Sequence, residues 1–357
     1  MTAPAGRSYG AAVSTSVRAS LVAGAAALGR RALPVVRLGA GRALGRKSPF
    51  QMTLSLTNRC NFRCEYCHIP LQRRDEMTAA EWRAAIDDLR AAGMGRASLI
   101  GGEPLLRKDV GEVIAHLNAS GVHAAMNTNG WFIEDRIEDV ARLDLVCLTL
   151  DGPREVHDAQ RHPGSYDRVI AAIELLRRRG VPVVTMTVLT PRGIASIDHV
   201  LDVATSMGFN AYFQLEHDAD VDVLLPIARR TTDDGVAAVA RALLDRKRAG
   251  APVGNSAQLL EVHLTQRYLG SCEGCFAGMY YGYVLSDGTV APCLLTQSQV
   301  KPGNGRDRGF ARAFEELQAP TGPGCACLPT HAVNRVLEMK PAAVWEALSL
   351  ALASRLR

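Results

Sequence analysis

A parallel α/β sheet is what three features of this 357-residue chain predict. Short apolar runs alternate with helical segments from Phe50 to about His217. Glycines stand where the helices should stop, at Gly93, Gly121, Gly180 and Gly208. Polar turns follow successive strands, as the working residues of parallel barrels do. Six strand-then-helix repeats with right-handed crossovers describe a partial (β/α)6 TIM-like barrel.

The strand candidates are Phe50–Leu56, Ala97–Ile100, His123–Asn127, Leu145–Leu150, Val181–Thr190 and Ala211–Glu216. Helices are expected at Thr78–Ala92, Val110–Asn118, Ile133–Ala141, Tyr166–Arg179 and Ala195–Met207. Thr78 with Glu81 three residues on makes a capping box. Residues 218–262 read as connecting helices, including Asp234–Arg248, with a turn at Pro252–Ser256.

An apolar content of 47% suits a globular protein with a full core. The nine cysteines, several closely spaced, read as metal ligands in a reducing compartment rather than as disulfides. No apolar run reaches the length of a membrane span, so a cytoplasmic location is expected. The net charge of +5 is uneven: residues 1–47 hold eight basic side chains and no acid, so the rest carries −3. Nucleic-acid binding gains no support from that balance. Residues 1–48 form a basic arm, in which Val17, Leu21 and Leu28 line one face of a helix ending near Pro34. Its uncharged stretch is too short to span a bilayer and lacks the pattern of a clean secretory signal. Two readings stay open for it: an amphipathic helix lying peripherally on the inner membrane surface, or a poorly ordered tail.

The chemistry starts directly after the first strand, in Cys60-Asn61-Phe62-Arg63-Cys64-Glu65-Tyr66-Cys67-His68. Three thiolates on one loop can wrap a single metal centre, and no fourth cysteine appears until Cys147. Closed zinc sites and most iron–sulfur cubes take four protein ligands, so three leave one position open. A zinc site completed by His68 and a redox-sensing cluster are the alternatives. The C-x3-C-x2-C spacing, with Tyr66 before the last cysteine, resembles the signature of the radical S-adenosylmethionine (radical SAM) superfamily.

That resemblance implies a 4Fe–4S cluster on Cys60, Cys64 and Cys67, with SAM chelating its open iron. Gly101-Gly102-Glu103 matches the motif that receives the SAM amino group, glycine backbone allowing close approach and Glu103 offsetting the charge. Asn127, Thr128 and Asn129 match strand-end positions that contact the ribose or methionyl part, as do Thr149 and Asp151. Thr190–Ile194 stands where relatives place apolar contacts to adenine, a loose match. One-electron cleavage would then give a 5′-deoxyadenosyl radical that abstracts hydrogen from substrate. Cys147, inside the fourth strand, reads as a small core residue.

The tail carries a second cysteine group. Between Cys275 and Gly288 lie twelve residues, and four separate Gly288 from Cys293, with a hairpin turn at Ser286–Val290. This looks like the opening of the SPASM/twitch extension, shortened here because only Cys325 and Cys327 follow. The resemblance implies one auxiliary 4Fe–4S cluster, on Cys275, Cys293, Cys325 and Cys327, with Cys272 as the alternative ligand and structural zinc as the alternative metal. The expected divisions are therefore 1–48 for the arm, 49–217 for the barrel, 218–262 for connecting helices, 263–340 for the auxiliary region and 341–357 for a last helix.

The expected substrate is a peptide or a small natural-product precursor, and the electron donor a flavodoxin or ferredoxin. Tyr280, Tyr281, Tyr283, Glu216 and His217 are candidates to face the cavity, and no acid or base is assigned. A non-catalytic iron–sulfur or zinc sensor or scaffold is the competing function. It would need the cysteines but not the Gly101–Glu103 and strand-end residues.

Overall fold

The computed structural model describes residues 36–189, 194–215, 217–219, 227–229, 233–265, 275–293, 303–319 and Leu337. Helix α1 covers 36–43. Then come β1 (Gln51–Ser55), α2 (Ala79–Ala91), β2 (Arg96–Ile100), α3 (Val110–Ala119), β3 (His123–Thr128), α4 (Ile137–Val140), β4 (Leu145–Thr149), α5 (Arg154–Gln160), α6 (Ser165–Arg178), β5 (Val183–Leu189), α7 (Ile197–Met207) and β6 (Asn210–Leu215). A small hairpin, β7 (His217–Ala219) and β8 (Ile227–Arg229), precedes α8 (Asp233–Arg248) and α9 (Ala257–Leu264). The chain continues through β9 (Tyr281–Val284), β10 (Thr289–Ala291), β11 (Gly303–Asn304), α10 (Gly305–Arg308) and α11 (Phe310–Glu315).

Strands β1 to β6 are parallel neighbours in sequence order, and the sheet stays open. Its β1 edge is extended by β9, which runs parallel to β1 with Gln51 opposite Tyr281, and then by antiparallel β10 and β11. The cysteine-bearing tail is thus continuous with the barrel sheet.

Alternation along the strands separates two faces. Met52, Leu54, Ala97, Leu99, Ala124, Met126, Val146, Leu148, Val183, Ala211 and Phe213 join the main core beneath the helices. Each helix supplies a stripe at three- and four-residue spacing: Trp82, Ala85, Ile86 and Leu89 from α2, and Val110, Val113, Ile114 and Leu117 from α3. The opposite face shows Thr53, Ser98, Ala125, Leu145, Met186 and Tyr212, all half-buried.

Thr78 and Glu81 form the expected capping box, and Gly93, Gly121, Gly180 and Gly208 all take positive φ at their helix ends. One helix is much shorter than the sequence predicts. Only Ile137–Val140 is helical; residues 131–136 make turns after Gly130 (φ +83°). The Arg136 guanidinium ties these turns to the Arg107 and Lys108 carbonyls, both at 3.2 Å, and to Asp139. Helices α1, α5 and α9 and the β7–β8 hairpin were not separately expected.

Of the basic arm, residues 36–47 are described and rest on the body. Leu38 is buried in a second core with Ala277, Tyr280, Tyr281 and Cys293. Arg37 donates to the Ala91 carbonyl (3.2 Å), Arg42 to that of Leu337, and Lys47 to that of Glu315 (2.8 Å) at the end of α11. Residues 1–35, including Val17, Leu21 and Leu28, lie outside the described residues, as do 341–357. Among the described residues no helix is long and apolar enough to cross a membrane.

Candidate active site

The cysteine loop is fastened to its neighbours mainly by backbone bonds. Gly102 N–H donates to the Thr57 carbonyl (2.7 Å) and Glu103 N–H to that of Arg59 (2.8 Å). Buried Arg107 donates to the carbonyls of Leu56 and Met77, both at 3.0 Å, so it holds the two ends of the loop. Glu76 accepts from the Thr57 hydroxyl and the Asn58 N–H. The β9–β10 hairpin tip adds Ser286 to Asn58 (3.0 Å) and Arg74 to Asp287 (2.5 Å).

Within the loop, Cys67 N–H closes a turn on the Cys64 carbonyl (3.1 Å), and Phe62 N–H points at Cys60 Sγ (3.4 Å). Six cysteines are described, Cys60, Cys64, Cys67, Cys147, Cys275 and Cys293, and the three of the loop and Cys147 are free thiols. Burial raises the pKa of Cys60, Cys64 and Cys67, and negative charge on any of them opposes another's ionisation. Among the described residues no three metal-binding side chains converge on a single ion. Thiolates around one tetrahedral ion stand within about 4 Å of one another. Three thiols spaced around a loop, each sensing another's charge, suit a larger iron–sulfur cluster better than one zinc.

Glu103 is fully buried and accepts three hydrogen bonds: from Leu105 N–H (3.0 Å), the Thr128 hydroxyl (2.8 Å) and Asn129 N–H (2.8 Å). The Asn129 amide reaches Asn61 Oδ1 (2.8 Å), beside Cys60. Glu103, Thr128 and Asn129 therefore join β2 and β3 to the cysteine loop. Asn127 is exposed and Thr149 half-buried at their strand ends, on the face away from the main core. Asp151 is fully buried, accepting from Val188 N–H (2.9 Å) and the Tyr66 hydroxyl (3.3 Å).

Sequence reasoning missed Arg161. Its guanidinium pairs with Asp151 (2.5 Å), donates to the Tyr66 hydroxyl and lies 5.5 Å from the Tyr66 ring centroid. No periodic pattern marks an isolated arginine after a short helix.

At the other end of β1 the structure brings Cys275 and Cys293 into one small core. The Tyr281 hydroxyl stands 3.3 Å from Cys275 Sγ, and burial with these thiols raises its pKa. Tyr280 packs on Phe276, while Tyr283 is half-buried on the strand beside Thr53. Cys272, Cys325, Cys327, Thr190–Gly193 and Glu216 lie outside the described residues, as do the side chains of Ile194 and His217. Cys147 is buried in β4 opposite Asn127 and Val184, outside the main helix-facing core, and burial pushes its pKa up to about 12.

Residues 54–204 match the radical SAM superfamily model. Those residues form a radical SAM domain. It is 26% identical over 303 residues to the AdoMet-dependent heme synthase of Methanosarcina barkeri, covering 76% of this chain and 83% of that protein. It is 31% identical over 182 residues to the mycofactocin maturase MftC of Mycobacterium tuberculosis, covering 49% of this chain. The match spans only 46% of MftC's own length. In fold it is similar to SuiB of Streptococcus suis, solved with S-adenosylmethionine, at a TM-score of 0.63 and 15% identity, covering 78% of this chain and 68% of that one. SuiB has also been solved bound to precursor peptide SuiA, at a TM-score of 0.61 and 15% identity, covering 76% of this chain and 65% of that one. As a radical SAM enzyme the chain is expected to use a 4Fe–4S cluster and SAM, and its three loop thiols supply a fitting donor set.

Two buried groups should oppose each other in the pH dependence of stability. His157 accepts the Asp151 N–H on Nδ1 (3.1 Å), and burial pushes its pKa down to about 4. The unfolded chain protonates it below 6.5, so this stability is present above 6.5 and lost as pH falls towards 4. Burial pushes Glu103 up to about 7, from 4.5. Its stability is present below 4.5 and lost as pH rises through 7. Glu103→Gln should therefore leave an apoprotein whose urea midpoint climbs with pH through this window more steeply than wild type does. Equal slopes would mean that Glu103 is ionised throughout.

Proposed function

We propose that this chain binds a 4Fe–4S cluster through Cys60, Cys64 and Cys67 and directs radical chemistry at a C–H bond of a peptide substrate. The observation that carries the reading is the fastened loop of three free thiols at the C-terminal end of β1, beside a half-exposed sheet face. When bound together, cluster and SAM supply a one-electron cleavage that yields methionine and a 5′-deoxyadenosyl radical. The protein's part is placement. The Gly101–Gly102 backbone lies close against the loop, Asn127 and Thr149 are open to the ribose or methionyl part, and Tyr66 flanks the third thiol. Glu103, Thr128, Asn129 and Asp151 keep these groups in register from beneath.

The face away from the main core presents neutral side chains across several strands, small Thr53, Ser98 and Ala125 and apolar Leu145 and Met186 among them. Such a wall suits an extended chain more than a compact anion. MftC is named a maturase and SuiB is solved with a precursor peptide, which supports the peptide reading. A tetrapyrrole is the second reading. One observation favours it: the heme synthase aligns over most of its own length. Arg96 and His123, paired at the strand starts, would offer such an acidic, metal-binding macrocycle a cation and an imidazole.

The second cysteine group extends the proposal. Cys275 and Cys293 lie at the opposite end of the five-residue β1, a span of roughly 17 Å. With Cys325 and Cys327, or Cys272 in place of one of them, they would hold an auxiliary 4Fe–4S cluster able to take up an electron. A flavodoxin or ferredoxin would supply the first electron. Contact with an anionic membrane rests on residues 1–35, since Arg37, Arg42 and Lys47 already serve the body. Removing 1–35 should abolish vesicle co-sedimentation; unchanged binding would end that idea.

The deciding experiment uses anaerobically reconstituted protein, dithionite, SAM and deuterated candidate substrates. Deuterium appearing in 5′-deoxyadenosine from a peptide supports the first reading, and from a tetrapyrrole the second. No deoxyadenosine under any condition would leave only the sensor or scaffold function.

A further inference from the structure

The buried guanidinium of Arg161 stands against the cysteine loop on a prepared support. Its side chain is 8% exposed and its partner Asp151 wholly buried, so the pair is largely removed from water. Asp151 is fixed by Val188 N–H from β5 (2.9 Å) and the Tyr66 hydroxyl (3.3 Å). Tyr66 lies between Cys64 and Cys67, and the guanidinium both donates to its hydroxyl and sits 5.5 Å from its ring centroid. One cation thereby joins the end of β4, the strand β5 and the cysteine loop.

The charge of Arg161 reaches two of the three thiols. At Cys64 burial is the largest influence, and Arg161 comes next, ahead of the opposing effect of Asp151. At Cys67 the guanidinium likewise works against burial. Cys60 instead feels Glu103 and Cys64, countered by exposed Arg63. Arg161 is thus the buried cation whose positive field acts on Cys64 and Cys67, held there through Tyr66, which lies between them. Screening is weak at a buried site, so such a field persists in salt.

We propose that Arg161, clamped by Asp151 and Tyr66, is a positioning residue that raises the reduction potential of the cluster held by the loop thiolates. The inference rests on the cluster reading of the preceding section. Reduction adds one electron to a centre already bearing three thiolate charges. A buried cation stabilises that extra charge, and a buried anion destabilises it. Removing Arg161 should make the cluster harder to reduce. Neutralising Asp151 while keeping Arg161 should make it easier. A merely structural clamp would not reverse sign between its two halves.

The test compares wild type, Arg161→Met, Arg161→Lys and Asp151→Asn, each reconstituted anaerobically and assayed for iron. Dye-mediated redox titrations are followed by electron paramagnetic resonance without SAM, and the signal that changes on later addition of SAM marks the relevant cluster. Arg161→Met is expected to lower the reduction equilibrium constant at least tenfold, about 59 mV for a one-electron couple. Arg161→Lys should stay close to wild type, and Asp151→Asn should shift upward. A loaded Arg161→Met protein with the wild-type potential would overturn the proposal, as would a downward shift in Asp151→Asn. So would weakened SAM binding at unchanged potential, which would make Arg161 a contact of SAM. Should Arg161→Met fail to load iron, the sign in Asp151→Asn decides. Wild type without a 4Fe–4S signal would instead remove the cluster reading itself.

Discussion

Wild-type protein reconstituted anaerobically is expected to release 5′-deoxyadenosine from SAM on reduction, and the combined Cys60→Ala, Cys64→Ala, Cys67→Ala variant none. The loss should be complete because Cys147, the other described cysteine of the barrel, is buried in β4 and stands opposite Asn127. Iron gives an independent measure. With an auxiliary cluster, wild type should carry about eight irons and the triple variant about four. The fold should survive, since the loop is fastened through backbone carbonyls and by Arg107, Glu76 and Glu103, not by its thiols. Deoxyadenosine from a folded triple variant would sink the assignment. A variant with no iron and one tightly held zinc would make the tail a structural zinc module, and the electron-accepting role would go with it.

How legible was this in the sequence? The strands of the parallel sheet were, because β1 to β4 present apolar side chains to the helix layer at alternate positions, as β5 does at Val183 and Leu189 and β6 at Ala211 and Phe213. Helix ends were equally plain, marked by Thr78 at one end and by glycines with positive φ at the other. The short α4 was hidden, because Arg136 is held by the distant carbonyls of Arg107 and Lys108, a tertiary preference that local pattern does not carry. The parallel pairing of β9 with β1 was hidden for the same reason. At the site, the sequence marked the cysteines and Glu103 by spacing and motif. Arg161, Arg107 and Glu76 left no such mark. Each is an ordinary surface residue by composition, and becomes structural only when the turns after β1, β2 and β4 are brought side by side.

Gly102→Ala is expected to empty the primary cluster while leaving every cysteine in place. A Cβ added at Gly102 would lie 2.2 Å from the Arg59 carbonyl oxygen, 2.6 Å from its carbon and 2.9 Å from the Asn58 oxygen. All three atoms are backbone, so no side-chain rotation relieves the overlap. Gly101 is similarly confined, with φ +151° and the Thr57 oxygen 2.3 Å from where a Cβ would stand. Something must move, and the segment immediately before Cys60 is what the new methyl strikes. Its displacement would break the bond from Glu103 N–H to the Arg59 carbonyl (2.8 Å). Overpacking of this kind costs about 1–3 kcal/mol, which a urea titration can resolve. The functional effect should be larger: loss of about four irons and at least a tenfold fall in deoxyadenosine release. Gly250→Ala provides the comparison. It also has positive φ, +90°, but no atom lies within 4 Å of the added Cβ. That variant should lose about 1 kcal/mol from backbone strain alone and keep its full iron. If Gly102→Ala instead retained wild-type iron and turnover, the contact between the Gly102 backbone and the Arg59 carbonyl would not be what positions the cysteines.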